Sequence, residues 1–181
     1  MNIEFLNTFI TVLSTGAVTL LAVYFTNQAN YKKLLLQTEL DKEFKTKEII
    51  REKLEELYLL TDIWLNTNVT HWMPYLSVMM GELTYNQALD LTIQQSEKNK
   101  HEFYRIKMII DLYFPAIRKQ YDEVLKVQSS INKILYDHKR DYKNGDIDGL
   151  KYAEPFLNEQ KTFVKKSEIL MQGIIGLQKT I

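Results

Sequence analysis

The side chains that most often bind metals or carry protons are few here, and their spacing fits none of the common metal motifs. The three histidines are His71, His101 and His138, and none lies in an H-E-x-x-H or E-x-x-H sequence. A zinc protease needs the first pattern, and a di-iron helical bundle needs Glu-x-x-His on two helices. Glu97 and His101 lie one helical turn apart, but within residues 94–102, which include no apolar residue. We therefore expect no metal site.

A second candidate for a metal site is the sequence NGDIDG at residues 144–149, which resembles the start of an EF-hand calcium loop. With Gly149 at loop position six, position twelve is Pro155, where the loop requires a bidentate Glu. We therefore expect a turn and a helix start here. The chain also lacks the G-x-x-x-x-G-K, G-x-G-x-x-G and G-x-S-x-G motifs. The sequence predicts no enzyme, no cofactor and no small-molecule substrate.

The amino-acid composition excludes further classes of protein and of functional site. The 181 residues carry 23 Lys and Arg against 23 Asp and Glu, a formal net charge of zero. This balance gives no overall electrostatic attraction to nucleic acid, so no nucleic-acid partner is expected. The absence of cysteine excludes disulfides, thiolate zinc sites, iron–sulfur clusters and a thiol nucleophile. Three prolines and six glycines are too few for a turn-rich β protein.

The elements that organise the chain begin with a membrane segment. Residues 5–25 carry no charge and would form a helix of roughly 31 Å, enough to cross a hydrocarbon core of about 30 Å. A secretory signal peptide is the alternative. It would need a basic start and a small-x-small cleavage site, whereas this chain begins Met-Asn-Ile-Glu and has no A-x-A after the run. We expect an uncleaved anchor over residues 1–26.

Basic residues near the anchor predict its orientation. Lys32 and Lys33 follow the segment closely, and no Lys or Arg precedes it. Because basic residues favour the cytoplasmic side, we expect the N-terminus outside the cell membrane and the rest of the chain in the cytoplasm.

One face of the anchor consists of small and hydroxyl residues. They are Thr8, Thr11, Thr15, Gly16, Thr19 and Ala22. Such faces let transmembrane helices approach closely, so we interpret this one as a packing face for another copy or a partner. The alternative is that the threonines bond only to carbonyls of their own helix.

The next part of the chain predicts a long amphipathic helix over residues 27–65, which the sequence Asn66-Thr67-Asn68 should end. Residues 69–83 are then apolar, with Pro74 inside. Their large side chains are Trp72, Met73, Tyr75, Met79 and Met80. These side chains form either a cap on the helix ends or, since Met adapts to varied surfaces, a contact surface for a partner.

Three further helices follow. Thr84 and Gln87 form a capping box, which predicts a helix from about residue 85. This helix either breaks near Ser96 or continues to the stop before Pro115. Counting the helix over residues 27–65 as the first, the third helix spans residues 116–143 and the fourth about 148–179.

Apolar spacing predicts the faces of the last two helices. The third carries a heptad seam at Ile117, Tyr121, Val124, Gln128, Ile131, Leu135, His138 and Tyr142. The fourth offers Leu157, Val164, Met171 and Ile174 on one face and Phe156, Phe163, Leu170 and Leu177 on an adjacent one. On the seam, His138 should be buried or half-buried and hydrogen-bonded; a pH-sensing role is the alternative. Together these helix predictions indicate an all-α protein. A transmembrane helix is followed by an antiparallel four-helix-bundle-like domain of long helices, which covers residues 27–181.

The run KMIIDLYFPAIRKQYDEVLK, residues 107–126, resembles small uncharacterised bacterial proteins with one membrane span and a cytoplasmic helical domain. The resemblance implies this architecture and no activity.

Two functions follow from the pattern. The first is a membrane-anchored interaction or scaffold protein that holds a protein partner or self-associates at the inner face of the membrane. The second is a membrane-active effector of the toxin or phage-defence type, whose anchors assemble and perturb the membrane.

Overall fold

The structure is a computed structural model that describes residues 3–98 and 103–180, with the side chains of residues 4–6, 8, 9, 95–98 and 180 left aside. The α-helices are α1 (Ile3–Met79), α2 (Tyr85–Lys98), α3 (Tyr104–Tyr113), α4 (Arg118–Lys143) and α5 (Leu150–Leu177). Short 3₁₀ turns cover Pro115–Ile117 and Gln178–Thr180. No strand occurs within these two described ranges, so the all-α prediction is confirmed.

The chain divides into two compact units, residues 1–48 and residues 49–181. The predicted boundary at residues 26/27 is defined by a membrane and stays a prediction. In the first unit the described residues form only helix, the N-terminal part of α1. Its apolar side chains are exposed, including Leu36, Leu40 and Phe44 after the uncharged run. Glu43 and Lys47, one helical turn apart on its surface, form an ion pair at 3.1 Å.

The second unit buries a continuous core drawn from α1, α3, α4 and α5. Trp64 of α1 packs on Tyr121 of α4 at 5.6 Å between ring centroids, and Trp72 packs edge-to-face on Phe163 of α5 at 4.8 Å. The other large core side chains include Leu57, Ile106, Ile109, Ile110, Val124, Ile131, Phe156, Leu170 and Ile174. These apolar contacts, made between helices far apart in sequence, supply the main stabilisation of the unit.

The predicted helix end at Asn66-Thr67-Asn68 is wrong, because α1 continues to Met79. The side chain of Asn68 is satisfied inside the helix: its amide donates to the Trp64 carbonyl at 2.8 Å. Its side-chain carbonyl accepts a 2.7 Å hydrogen bond from Gln128 of α4. Pro74 lies within the helix, where a missing N–H costs about 3 kcal/mol. Burial of the neighbouring Trp72 and other core side chains offsets that cost.

The expected boundaries of the next helices are largely confirmed. Thr84 and Gln87 form the capping box, with the Thr84 backbone N–H donating to the Gln87 side chain at 2.9 Å. Helix α2 covers Tyr85–Lys98, and residues 99–102 lie outside the described residues. Helix α3 ends directly before Phe114 and Pro115, as the proline predicted.

Helices α4 and α5 form an antiparallel pair. Glu123 contacts Lys166 at 2.7 Å, and Asp141 contacts Tyr152 at 2.6 Å, so the two helices run in opposite directions. The connecting turn uses Gly145 with φ +93°, a left-handed conformation that glycine adopts without strain.

The predicted seam of α4 is confirmed, with its side chains buried or half-buried. On α5 the core face is the one that carries Phe156, Phe163 and Leu170, together with Ile174. Leu157 and Val164, on the other expected face, are exposed.

Candidate functional site

The first functional feature is the uncharged, exposed part of α1. Its exposed large apolar side chains are Ile10, Val12, Leu13, Val18, Leu20, Leu21, Val23, Tyr24 and Phe25. In the described part of the chain, α1 alone is long and apolar enough to cross a membrane by length and composition, and its apolar window has no buried residue. The segment is therefore a candidate membrane-spanning helix near the N-terminus.

The small-residue face of this segment uses its hydroxyl groups locally. Thr11, Thr15 and Thr19 each donate a 2.8 Å hydrogen bond to the backbone carbonyl four residues earlier. A Cβ built at Gly16 would contact nothing of the chain within 4 Å, and Ala22 is exposed. The side chain of Thr8 lies outside the described residues. The hydroxyl donors are used within the helix, and packing of this face on another helix stays a prediction.

The large side chains predicted as a cap or contact surface, at the end of α1, differ in exposure: some belong to the core and others lie on the surface. Trp72 and Met79 are each 1% exposed and belong to the core, whereas Met73 is 45% and Met80 53% exposed. Tyr75 is half-buried, with its ring 5.6 Å from that of Tyr85. The segment is thus the last part of a helix, and the predicted contact surface reduces to Met73, Met80 and part of Tyr75.

A groove that sequence reasoning missed lies between α1 and the end of α5. It has a volume of about 790 Å³ and is lined by Arg51, Leu54, Glu55, Tyr58, Leu59, Ile174, Ile175 and Gln178. Its floor is apolar, with Leu54 and Ile174 buried, and its edge includes Leu59, which is 60% exposed. Arg51 and Glu55 pair with each other at 3.0 Å at the rim. No spacing in the sequence could have joined these two helices.

His138 occupies a cluster of tyrosines. Its ring centroid lies 5.6 Å from Tyr85, 6.2 Å from Tyr142 and 5.3 Å from Tyr152. The imidazole is fully buried, as predicted. The expected hydrogen bond is wrong, because neither ring nitrogen has a partner among the described groups. Tyrosines from three helices surround the ring, which leaves it no polar neighbour at bonding distance.

Charged residues beside this cluster pair with one another. Asp141 accepts hydrogen bonds from Tyr152 at 2.6 Å and from Lys151 at 3.0 Å. These bonds hold the pKa of Asp141 below its ordinary value. Lys151 also donates to Asp146 at 2.8 Å, and bonding to both carboxylates raises the pKa of the ammonium group. This arrangement ties the start of α5 to the end of α4.

The described residues offer few other groups of side chains that could bind an ion or carry a proton. No group of three or more His, Asp or Glu side chains there is placed to hold a metal ion. A second ion-pair cluster joins Arg118 to Asp111 and, at 2.9 Å, to Asp122. The hydrogen bond from Arg118 holds the pKa of Asp111 below its ordinary value. The pair Arg118–Asp111 connects α3 to α4, whereas Arg118–Asp122 lies within α4, and both have the geometry of a structural contact.

The features on which a function can rest are therefore an exposed apolar helix, a groove and two exposed methionines. Comparison of the chain with protein-family models, with curated proteins and with solved structures found no match.

Proposed function

We propose that this protein is a membrane-anchored interaction module. Residues 1–26 anchor it, and residues 27–181 lie on the cytoplasmic side, where residues 49–180 form a four-helix-bundle-like domain. That domain binds a protein partner or a second copy and carries out no catalysis.

One observation carries the proposal: every described side chain in the uncharged part of α1 is exposed, while residues 49–180 build a core of their own. Leu20 is 72% exposed, whereas Trp72 on the same helix is 1% exposed. Leaving a large apolar side chain in water instead of burying it costs about 1.5–3 kcal/mol. Nine such side chains over residues 10–25 need an apolar environment that the described residues do not supply. A bilayer supplies it along the whole length of the segment.

The orientation rests on charge. Lys32 and Lys33 are exposed, close to the end of the uncharged run, and the described residues before that run carry no Lys or Arg. Basic residues are retained on the cytoplasmic side during insertion. This supports a cytoplasmic domain.

Contacts within residues 49–180 support the bundle-like arrangement. Helix α1 contacts α3 through Glu56 and Arg105, and α4 through the hydrogen bond between Asn68 and Gln128. It contacts α5 through Trp72, and α4 and α5 are antiparallel. Such a domain offers helix faces and grooves for binding, and the exposed Met73 and Met80 are side chains that adapt to varied partners.

The test is to extract the full chain from its native membrane in mild detergent. Light scattering would give the mass of the complex, and mass spectrometry would identify companions. We expect either a defined companion protein or a homo-oligomer of fixed stoichiometry. A monodisperse monomer without a companion would contradict the proposal, as would protein that stays in the soluble fraction after lysis.

A pair of matched variants assigns the role of the anchor face. Replacing Thr11, Thr15 and Thr19 with Val keeps the side-chain shape and removes the hydroxyls. The control replaces Ile10, Leu13 and Leu20, which are exposed on the opposite side of the helix, with Thr. If the threonine face mediates assembly, only the first variant lowers the oligomer mass. Growth arrest and membrane depolarisation on overexpression, relieved by the first variant alone, would instead support the effector alternative.

A further inference from the structure

His138 is the buried polar side chain whose charge can change near neutral pH. Thr61 and Ser167 also bury oxygens without hydrogen-bond partners, but hydroxyl groups stay neutral. A neutral imidazole leaves one N–H donor and one acceptor unsatisfied at this site, and an imidazolium would leave two donors and a full charge. Burying a charge without a partner is far more costly than burying an unpaired neutral group.

The backbone closes this site. A Cβ at Gly149 would lie 2.5 Å from the Met79 Cα atom and 2.9 Å from His138 Nε2. The space is therefore open only to glycine, and the end of the α4–α5 turn packs directly on the end of α1 beside the imidazole. Gly149 therefore covers one side of the buried ring.

The titratable and charged groups around the ring come from every neighbouring element. They are Tyr85 of α2, Asp141 and Tyr142 of α4, Asp146 of the turn, and Lys151 and Tyr152 of α5. From α1 the backbone of Met79 meets Gly149 at this site. Both carboxylates bond to Lys151, and neither imidazole nitrogen has a hydrogen-bond partner among the described groups.

We propose that His138 is a proton-sensitive latch, and that its protonation releases residues 144–149 from the end of α1. The charged ring can regain hydration only when Gly149 moves away from Met79. This device does not depend on the membrane anchor, so it can fail or hold independently of the proposed function.

The direction of the pH effect follows from linkage. Burial lowers the pKa of His138 from its ordinary value of 6.5, and Lys151 lowers it further against the opposite effect of Asp141 and Asp146. The closed form therefore binds fewer protons than the open form. Closure is fully favoured above pH 6.5 and weakens as the pH falls from 6.5 towards the lowered value.

The experiment is amide hydrogen exchange by NMR on the full chain in lipid nanodiscs at pH 7.5, 6.5 and 5.5, corrected for intrinsic exchange rates. The reporter is the Tyr152 amide, which donates to the Gly149 carbonyl at 2.8 Å. The reference is the Phe114 amide, bonded to the Ile110 carbonyl at 3.0 Å. Below pH 6.5 we expect Tyr152 protection to fall by up to about 10-fold per pH unit, and Phe114 protection to stay constant. Equal Tyr152 protection at pH 7.5 and 5.5 would overturn the proposal.

Variants separate the latch from general acid sensitivity. His138→Gln and His138→Phe cannot titrate, so either one should remove the pH dependence at Tyr152. His71→Gln, at an exposed histidine, should retain it. Retention of the pH dependence in His138→Gln would contradict the proposal. If neither His138 variant folds, the NMR titration of the wild-type imidazole decides, and a pKa of 6.5 or higher would rule the latch out.

Discussion

Residues 3–48 and residues 49–180 are both helical and rich in apolar side chains, but they use these side chains in opposite ways. Leu20 and Phe44 in the first unit are exposed, while Leu57 and Ile109 in the second are completely buried. Composition alone therefore does not decide burial. The second unit has several helices that cover one another, whereas the described part of the first is a single helix whose apolar side chains stay exposed.

Both units satisfy hydroxyl groups within their own helices, but the second also has polar side chains that bond between helices. Thr11, Thr15 and Thr19 in the first unit bond to their own helix. In the second, Asn68 and Gln128 bond across two helices. Local bonding is possible in any environment, including lipid. Bonding between helices fixes which residues face each other, and this helps to specify one packing of the core.

The largest expected effect of a single substitution falls in the core of the second unit. Trp72→Ala should destabilise residues 49–180 by about 3–5 kcal/mol, because it removes a buried indole and its contact with Phe163. Denaturant unfolding of the full chain in detergent, followed by circular dichroism, would measure the loss. The matched control Leu20→Ala truncates an exposed side chain of the first unit and should leave the midpoint unchanged. Equal losses in both variants would remove the contrast between the units.

A charged substitution in the first unit should weaken membrane binding without changing the stability of the second unit. Leu20→Arg places a cation in the middle of the uncharged run, where insertion into a bilayer costs about 2.5–3.5 kcal/mol. We expect a smaller membrane-bound fraction in vesicle flotation and an unchanged unfolding midpoint for residues 49–180. Leu20→Met, which conserves volume and apolarity, is the control. Full membrane retention of the arginine variant would argue against a spanning helix.

The hydrogen bond between α1 and α4 should matter less than the core. Asn68→Ala leaves the amide of Gln128 without its 2.7 Å partner, at an expected cost of about 1–3 kcal/mol. The same denaturation experiment measures it, and Asn30→Ala, at an exposed position of the first unit, should have no effect. An unchanged midpoint for Asn68→Ala would show that water replaces the bond.

The smallest expected effect appears only in acid. Hydrogen bonds from Tyr152 and Lys151 lower the pKa of Asp141, so the folded state binds fewer protons than the unfolded state. The resulting stabilisation is fully present above about pH 4 and is lost as the pH falls through the lowered value. Asp141→Asn should therefore flatten the dependence of the midpoint on pH below 4. Glu43→Gln, at an exposed pair of the first unit, should leave that dependence as it is in the wild type.

Much of the fold was predictable because its signals are local. The hydroxyl and amide at Thr84 and Gln87, the ring of Pro115 and the spacing of the α4 seam act on residues within one or two turns. The predicted end of α1 was wrong because the contact that decides it is not local. Asn68 favours a turn by its own chemistry, but Gln128, 60 residues later in the chain, gives it a partner inside the helix.

The candidate sites were less predictable. The tyrosine cluster around His138 draws Tyr85, Tyr142 and Tyr152 from three helices, and sequence spacing joins only Tyr142 to the histidine. The seam predicted that His138 would be buried, which is correct. It could not predict the missing hydrogen bonds, because these depend on which side chains neighbouring helices bring to the ring.

The sequence by itself determined the helical class, the exclusion of cysteine chemistry and the position of the uncharged segment. Each follows from composition or from spacing along one helix. Only the tertiary structure decided that Trp72 and Met79 are core residues while Met73 and Met80 are exposed, and that Phe156 rather than Leu157 faces inward. Adjacent residues of a helix point in different directions, and the position of the other helices decides which direction is buried.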